Sequence, residues 1–166
     1  MKIKKIAIMT GGGDCPGLNP VIRAVVKTGI GQYGWKILGI EDAFNGLIDL
    51  NYRSPYGNRW LNDETVRDIQ ARGGTILGTS NHADPFRYAV KKGGKVRETD
   101  IFDRVLENWR KLKLDALVNV GGDGSMAIAY KAMQRGLTNV VGVPKTIDND
   151  LGATDFTFGF DTAVQV

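Results

Sequence analysis

Short apolar runs that stop at glycine alternate along the chain with segments whose apolar residues recur at helical spacing. Ile3 to Thr10 is apolar, β-branched and ended by Gly11-Gly12-Gly13, the pattern of a buried parallel strand. Asn19 to Tyr33 carries Val21, Ala24, Val25, Thr28 and Ile30 near helical spacing, with Asn19 as candidate N-cap and Pro20 in the first turn. Trp35 to Ile40 is a second strand, which completes a βαβ crossover. Asp63 to Arg72 is expected as a polar helix, Gly74 to Gly78 as a short strand or turn, and Asn81 to Glu98 as a charged stretch with a hairpin tip at Gly93-Gly94. Asp100 to Leu112 sets Ile101, Val105, Leu106, Trp109 and Leu112 on one helical face. Asp115 to Val120, Ser125 to Arg135 and Val140 to Val143 then continue as strand, helix and strand. This alternation predicts an α/β fold, doubly wound, with a mostly parallel sheet and helices on both faces. Ligands of such sheets bind beyond the C-terminal strand ends, where the loops 11–17, 121–125 and 144–150 converge.

Composition narrows the function classes. The 22 Lys+Arg against 18 Asp+Glu give a formal charge of +4, and the basic residues are scattered rather than striped. That balance favours solubility and mild attraction to anionic ligands, and argues against nucleic acid. One Cys excludes an internal disulfide, and Cys15 with His82 falls short of a closed zinc site, which fits a reducing cytoplasm. Met1 to Lys5 resembles a signal n-region, but the apolar run Ile6 to Met9 is too short to complete a leader, and no segment is long enough to span a membrane. The 22 glycines, about twice the usual share of roughly 7%, sit at the ends of apolar elements.

The glycine loops do not fit the common nucleotide motifs. A G-x-G-x-x-G run from Gly11 would need glycine where Pro16 stands, and Lys145-Thr146 follows Pro144 instead of the glycine of a P-loop. Gly11 to Gly13 and Gly121 to Gly124 instead suit backbone N–H groups approaching phosphate oxygens, aided by a helix N-terminus. Asp123 within the second loop makes sense beside phosphate if Mg²⁺ lies between them. Either loop alone reads equally as a tight strand-to-helix turn without a ligand. Thr146-Ile147-Asp148-Asn149-Asp150 offers a hydroxyl and two carboxylates, the groups an alcohol kinase needs for proton removal and in-line phosphoryl transfer. As an isolated pattern it also fits a polar turn.

Taken together, Gly12-Gly13-Asp14-Cys15-Pro16-Gly17-Leu18-Asn19, Gly73-Gly74-Thr75-Ile76-Leu77-Gly78, Gly121-Gly122-Asp123-Gly124-Ser125 and Pro144-Lys145-Thr146-Ile147-Asp148-Asn149-Asp150 resemble the phosphofructokinase family in content and order, across the whole chain. The resemblance implies transfer of a phosphoryl group to the 1-hydroxyl of fructose 6-phosphate in glycolysis, with Mg²⁺, in a cytoplasmic homo-oligomer, dimer or tetramer when full length. It implies Asp148 as general base, Thr146 and Lys145 as catalytic companions, and Thr146, Asp148 and Asp150 around the substrate. Donor binding falls to Gly12, Gly13, Gly122, Asp123, Gly124, Ser125 and Arg87, and the metal to Asp123. Pyrophosphate-using relatives carry Asp at the position of Gly124 and Lys at that of Lys145, and many ATP enzymes have Arg where Asn81 stands. The open space at Gly124 outweighs Lys145 and Asn81 because nucleotide requires it, so ATP is the expected donor and pyrophosphate the alternative.

The remaining candidates have plain readings beside the functional ones. Arg87, Lys91, Lys92, Lys95 and Arg97 form a phosphate-reaching group or a solvated basic face. Arg23 and Lys27 match basic positions of an allosteric phosphate site or are simply solvated. His82 is expected to face solvent, Cys15 to pack with a thiol open to acidification by the nearby helix start, and Trp35, Trp60 and Trp109 to be core or edge aromatics. Asp161 to Val166 looks like the opening turns of a further helix, so residues 1–166 are expected to be a truncated phosphoryl-donor-binding domain, inactive alone and lacking a sugar-binding half. A lipid or nicotinamide-dinucleotide kinase, which shares Gly-Gly-Asp-Gly, and a non-catalytic nucleotide-binding module are the competing classes.

Overall fold

The computed structural model describes residues 3–52 and 59–165. Four parallel strands and one antiparallel edge strand form a sheet in the order β3-β2-β1-β6-β7. The parallel members are β1 (Lys5–Thr10), β2 (Lys36–Ile40), β6 (Ala116–Gly121) and β7 (Val140–Pro144), and β3 (Arg59–Leu61) runs against β2. The helices are α1 (Leu18–Tyr33), α2 (Asn45–Ile48), α3 (Phe102–Leu112), α4 (Asp123–Gln134) and α5 (Phe160–Gln165), and β4 (Tyr88–Lys92) with β5 (Lys95–Thr99) make a separate hairpin.

Strand side chains alternate between two cores. On β1, Ile6 and Ile8 join Leu18, Ile22 and Val26 of α1, whereas Ala7 and Met9 join residues of α2, α3 and α4. The crossover β1-α1-β2 and the crossover β6-α4-β7 leave the sheet centre in opposite directions, so crossovers of one hand set their helices on opposite faces. Between β1 and β6 the winding reverses, and a crevice opens beyond their C-terminal ends.

Several expectations are corrected. Residues 63–72 form isolated turns rather than a helix: Asp68 is left-handed at φ 57°, which breaks the helical path, and only Val66 and Ile69 reach the core. Asn19 does not cap α1. The N-cap is Gly17 at φ 102°, while the buried Asn19 amide accepts from Ile76 N at 2.8 Å and donates to Arg72 O at 3.1 Å, tying the segment 72–76 to the helix. The helix expected from Ser125 begins two residues earlier, at Asp123. The hairpin turns at Gly93-Gly94 as expected, and residues 160–165 are helical, with Val166 outside the described residues. Among the described residues no helix is long and apolar enough to cross a membrane.

Candidate functional site

The three loops meet as the reversal of the sheet requires. Gly11 N donates to Val120 O at 2.9 Å, and Lys145 N donates to Gly121 O at 2.9 Å, so each loop is pinned to its neighbour just beyond the strand ends. Thr10 Oγ1 donates to Gly78 O at 2.7 Å and lies 2.9 Å from Thr75 Oγ1, which draws in the Gly73 to Gly78 segment, and Thr79 Oγ1 donates to Gly12 O.

The glycines divide into two groups. A Cβ at Gly11 would stand 2.7 Å from Ser125 Oγ, and one at Gly121 would stand 2.5 Å from both Ser125 Cβ and Oγ, so these two let α4 start tight against the sheet. A Cβ built at Gly13 or at Gly124 would meet nothing within 4 Å, and both residues line an open cavity. That cavity has a volume of about 300 Å³. Its polar end is lined by Gly12, Gly13, Gly122, Gly124, Ser125, Lys145, Thr146 and Asp148, and its apolar walls include Met9, Ala43, Phe44 and Ile128.

The polar end is suited to anions. Helix α4 makes its first bond from Met126 N to Gly122 O at 3.0 Å, which leaves the N–H groups of residues 123, 124 and 125 without helical acceptors, and Gly122 offers no side-chain cap. Lys145 is only 3% exposed, and its Nζ donates to Gly13 O, so the ammonium is held between the first and third loops. Thr146 Oγ1 donates to Asp150 Oδ1 at 2.8 Å and accepts from Asp148 N at 3.2 Å. Asn149, at φ 55°, accepts on Oδ1 from Thr157 N at 3.0 Å, and Thr157 Oγ1 donates to Thr146 O at 2.9 Å, so the loop is braced from behind. Asp148 is exposed at the cavity, whereas Asp150 is not among its lining residues.

Asp123 is exposed in the first turn of α4, next to cavity-lining Gly122, where an acid also favours the helix N-terminus. Arg87 does not line the cavity: it is solvent-exposed, with Nε 3.5 Å from Asp84 Oδ2, and Asp84 is the cavity residue of the pair. Asn81 lines the cavity, and His82 is exposed. Lys27 pairs with Asp63 at 3.0 Å. Cys15 packs as expected, 2% exposed in the core with Leu18 and Ile22, but its thiol is not acidified: burial pushes it up despite the lowering influence of Lys145, and its one S–H has Pro16 O and Phe158 O as alternative acceptors, each 3.3 Å from Sγ.

Sequence reasoning passed over Phe44, Asp84, Ile128 and Asn119. Asn119 has the clearest signal, a lone amide in the otherwise apolar strand two residues before the glycine loop. It is fully buried; Nδ2 donates to Ser125 O at 3.0 Å, and Oδ1 has no partner among the described residues. Such an unmet buried acceptor costs about 1–3 kcal/mol.

A phosphofructokinase family model matches residues 5–166. The chain belongs to the phosphofructokinase family. It is 46% identical over 165 residues to ATP-dependent 6-phosphofructokinase 1 of Synechocystis, covering 99% of this chain and 44% of that protein. It is 48% identical to ATP-dependent 6-phosphofructokinase 2 of Clostridium perfringens, covering 99% and 43% respectively, and 46% identical to a pyrophosphate–fructose 6-phosphate 1-phosphotransferase of Amycolatopsis mediterranei, covering 98% and 42%. Among solved structures, phosphofructokinase from Saccharomyces cerevisiae superposes with a TM-score of 0.72 at 32% identity, covering 98% of this chain and 22% of that one. The chain therefore spans less than half the length of these curated relatives. Membership of this family sets aside the lipid and nicotinamide-dinucleotide kinase classes.

Proposed function

We propose that the chain is the phosphoryl-donor-binding part of a 6-phosphofructokinase that transfers a phosphoryl group, from ATP, to the 1-hydroxyl of fructose 6-phosphate. The observation that carries this reading is the cavity at the sheet reversal, where an uncapped helix start, a buried lysine and an exposed carboxylate share one surface. In it the N–H groups of residues 123, 124 and 125, with the open backbone at Gly12 and Gly13, hold phosphate oxygens. Lys145 has three N–H donors, of which Gly13 O takes one, so the others remain for the transferring phosphoryl group. Asp148 accepts the proton of the attacking alcohol, while Thr146 and Asp150, joined by their hydrogen bond, fix the loop that carries it.

The residues fit a magnesium ion held jointly with substrate. The described residues contain no group of three or more metal-binding side chains, and Mg²⁺ ordinarily takes one or two carboxylates beside the phosphates. Asp123 is the residue to hold it, directly or through water. When bound, the ion neutralises charge on the phosphate oxygens. Arg87, exposed and paired with the cavity-lining Asp84, remains a donor-binding candidate.

Two observations favour a second reading with pyrophosphate as donor: buried Lys145, and the 46% identity to the Amycolatopsis enzyme. The space beside Gly124 favours nucleotide, since a donor with an α-phosphate needs that volume. A homo-oligomeric, cytoplasmic enzyme of the relatives' length is part of the same proposal. The test is Asp148→Asn in a polypeptide of that length carrying this chain. Turnover falls by about 10² or more while donor and sugar affinities hold. Near-normal turnover removes Asp148 from the base role, and binding of nucleotide without any transfer by the unmodified polypeptide favours a non-catalytic module.

A further inference from the structure

We propose that Thr157 is a positioning residue for the phosphoryl transfer, its backbone N–H and its hydroxyl together clamping the loop that carries Asp148; the inference rests on the reading of Asp148 as base above. Asp148 is exposed, and the bonds within its own loop, Thr146 Oγ1 to Asp150 Oδ1 and Asp148 N to Thr146 Oγ1, set the loop's shape without fixing where it stands. Among the described residues, the hydrogen bonds that leave residues 146–150 for another part of the chain run to Thr157. Thr157 Oγ1 donates to Thr146 O at 2.9 Å, just before Asp148 in the chain, and Thr157 N donates to Asn149 Oδ1 at 3.0 Å, just after it. One residue thus grips the base from both sides.

The clamp is firm because of what holds Thr157. It is only 7% exposed and does not line the cavity, so it acts on the reaction through the loop alone. Beside it, Phe158 packs against the core that α1 forms with the sheet, its ring so close to Gly17 that a Cβ there would stand 2.6 Å away. Asn149 takes a left-handed φ of 55°, a conformation its short amide tolerates, and the Thr157 bond ends on that same amide. A line of contacts therefore runs from the start of α1, through Phe158 and Thr157, to both flanks of Asp148. A general base works only within hydrogen-bond reach of its proton, and a misplacement of about 1 Å can cost about 10²-fold in rate. Removing the hydroxyl frees Thr146 O while the backbone bond to Asn149 stays, so the loop loosens without detaching.

The experiment is a double-mutant cycle in a polypeptide of the relatives' length carrying this chain: Thr157→Val, Asp148→Asn and the two together, with Thr157→Ser as the conservative variant. Turnover is assayed with magnesium, fructose 6-phosphate and either ATP or pyrophosphate, and donor affinity by calorimetry. Thr157→Val, which keeps the shape and loses the hydroxyl, lowers kcat about tenfold or more and leaves donor affinity within about twofold. Thr157→Ser recovers most of that loss. In the Asp148→Asn background the valine costs less than about twofold, since a residue that acts through a carboxylate has nothing to position once the carboxylate is gone. With Asp148→Asn impaired, the inference alone is overturned if Thr157→Val keeps kcat within about twofold, if its loss is equal in both backgrounds, or if serine recovers none of it. Near-normal turnover in Asp148→Asn, or none with either donor in the unmodified polypeptide, ends the base reading and this inference with it. Should Thr157→Val fail to melt cooperatively, Thr157→Ala is read by the same criteria.

Discussion

Replacing Gly124 by Asp isolates the contribution of open space to donor choice. Gly124 occupies the first turn of α4 and lines the cavity, and a Cβ built there meets nothing within 4 Å. Its backbone is not left-handed, so a side chain is tolerated, and an acid in a helix's first turn favours the macrodipole by about 0.3–1 kcal/mol. The fold should survive. The ligand should not be indifferent, because on the proposed reading the new carboxylate stands where a nucleotide's inner phosphate passes. One unit charge against another at about 5 Å costs about 3 kcal/mol at an effective dielectric of about 20, and about half that at about 40. The dissociation constant for ATP should therefore rise about 20- to 200-fold. Titration calorimetry with ATP and with pyrophosphate, alongside thermal melting, reads this directly. ATP affinity drops, pyrophosphate affinity changes far less, and the melting temperature holds. An unchanged ATP affinity in a folded variant would refute the reasoning, since the donor would then not pass Gly124.

Two further outcomes are expected. Asp123→Ala should weaken or shift the magnesium dependence of ATP binding while circular dichroism stays native, and an unchanged magnesium titration would make Asp123 only a helix-start residue. Asp115 Oδ2 accepts from Lys4 N at 2.8 Å and Lys5 N at 2.9 Å, and these bonds hold its carboxyl below the ordinary 3.8. Because the folded state binds this proton less readily than the unfolded chain, the stabilisation is complete above 3.8 and disappears as pH falls through the lowered value. Because the bond to Lys4 N is solvent-exposed and screened, Asp115→Ala should cost only about 0.5–1 kcal/mol near neutrality, with the gap to native closing in acid, as urea unfolding at several pH values will show.

The order of strands and helices was legible because β1, β6 and β7 are mostly apolar runs ended by glycine or proline, a pattern that burial on both faces enforces in β1 and β6. The Gly93-Gly94 hairpin was legible for a similar local reason, since both residues take positive φ. What escaped has causes in tertiary structure. β3 is three residues long and exists through pairing with β2, and the four residues of α2 follow the left-handed pair Asp42 and Ala43, which nothing in their side chains announces. Residues 63–72 looked helical by composition, and a single left-handed Asp68 undid that. At the site, the loops were readable from their glycines and acids. The division of labour among those glycines was not, because whether Gly121 or Gly124 meets Ser125 depends on where α4 begins. Asn119 stands out as a lone amide in an apolar strand, but that its Oδ1 goes without a partner among the described residues shows only once its neighbours are placed.

The most direct measurement is a fructose 1,6-bisphosphate assay on a polypeptide of the relatives' length carrying this chain, with fructose 6-phosphate and magnesium, run in parallel with ATP and with pyrophosphate. ATP should support turnover about tenfold or more above pyrophosphate, the outcome expected if the open space beside Gly124 governs the donor. Turnover with pyrophosphate alone would contradict the account, and would mean that buried Lys145, rather than the open space beside Gly124, governs the donor.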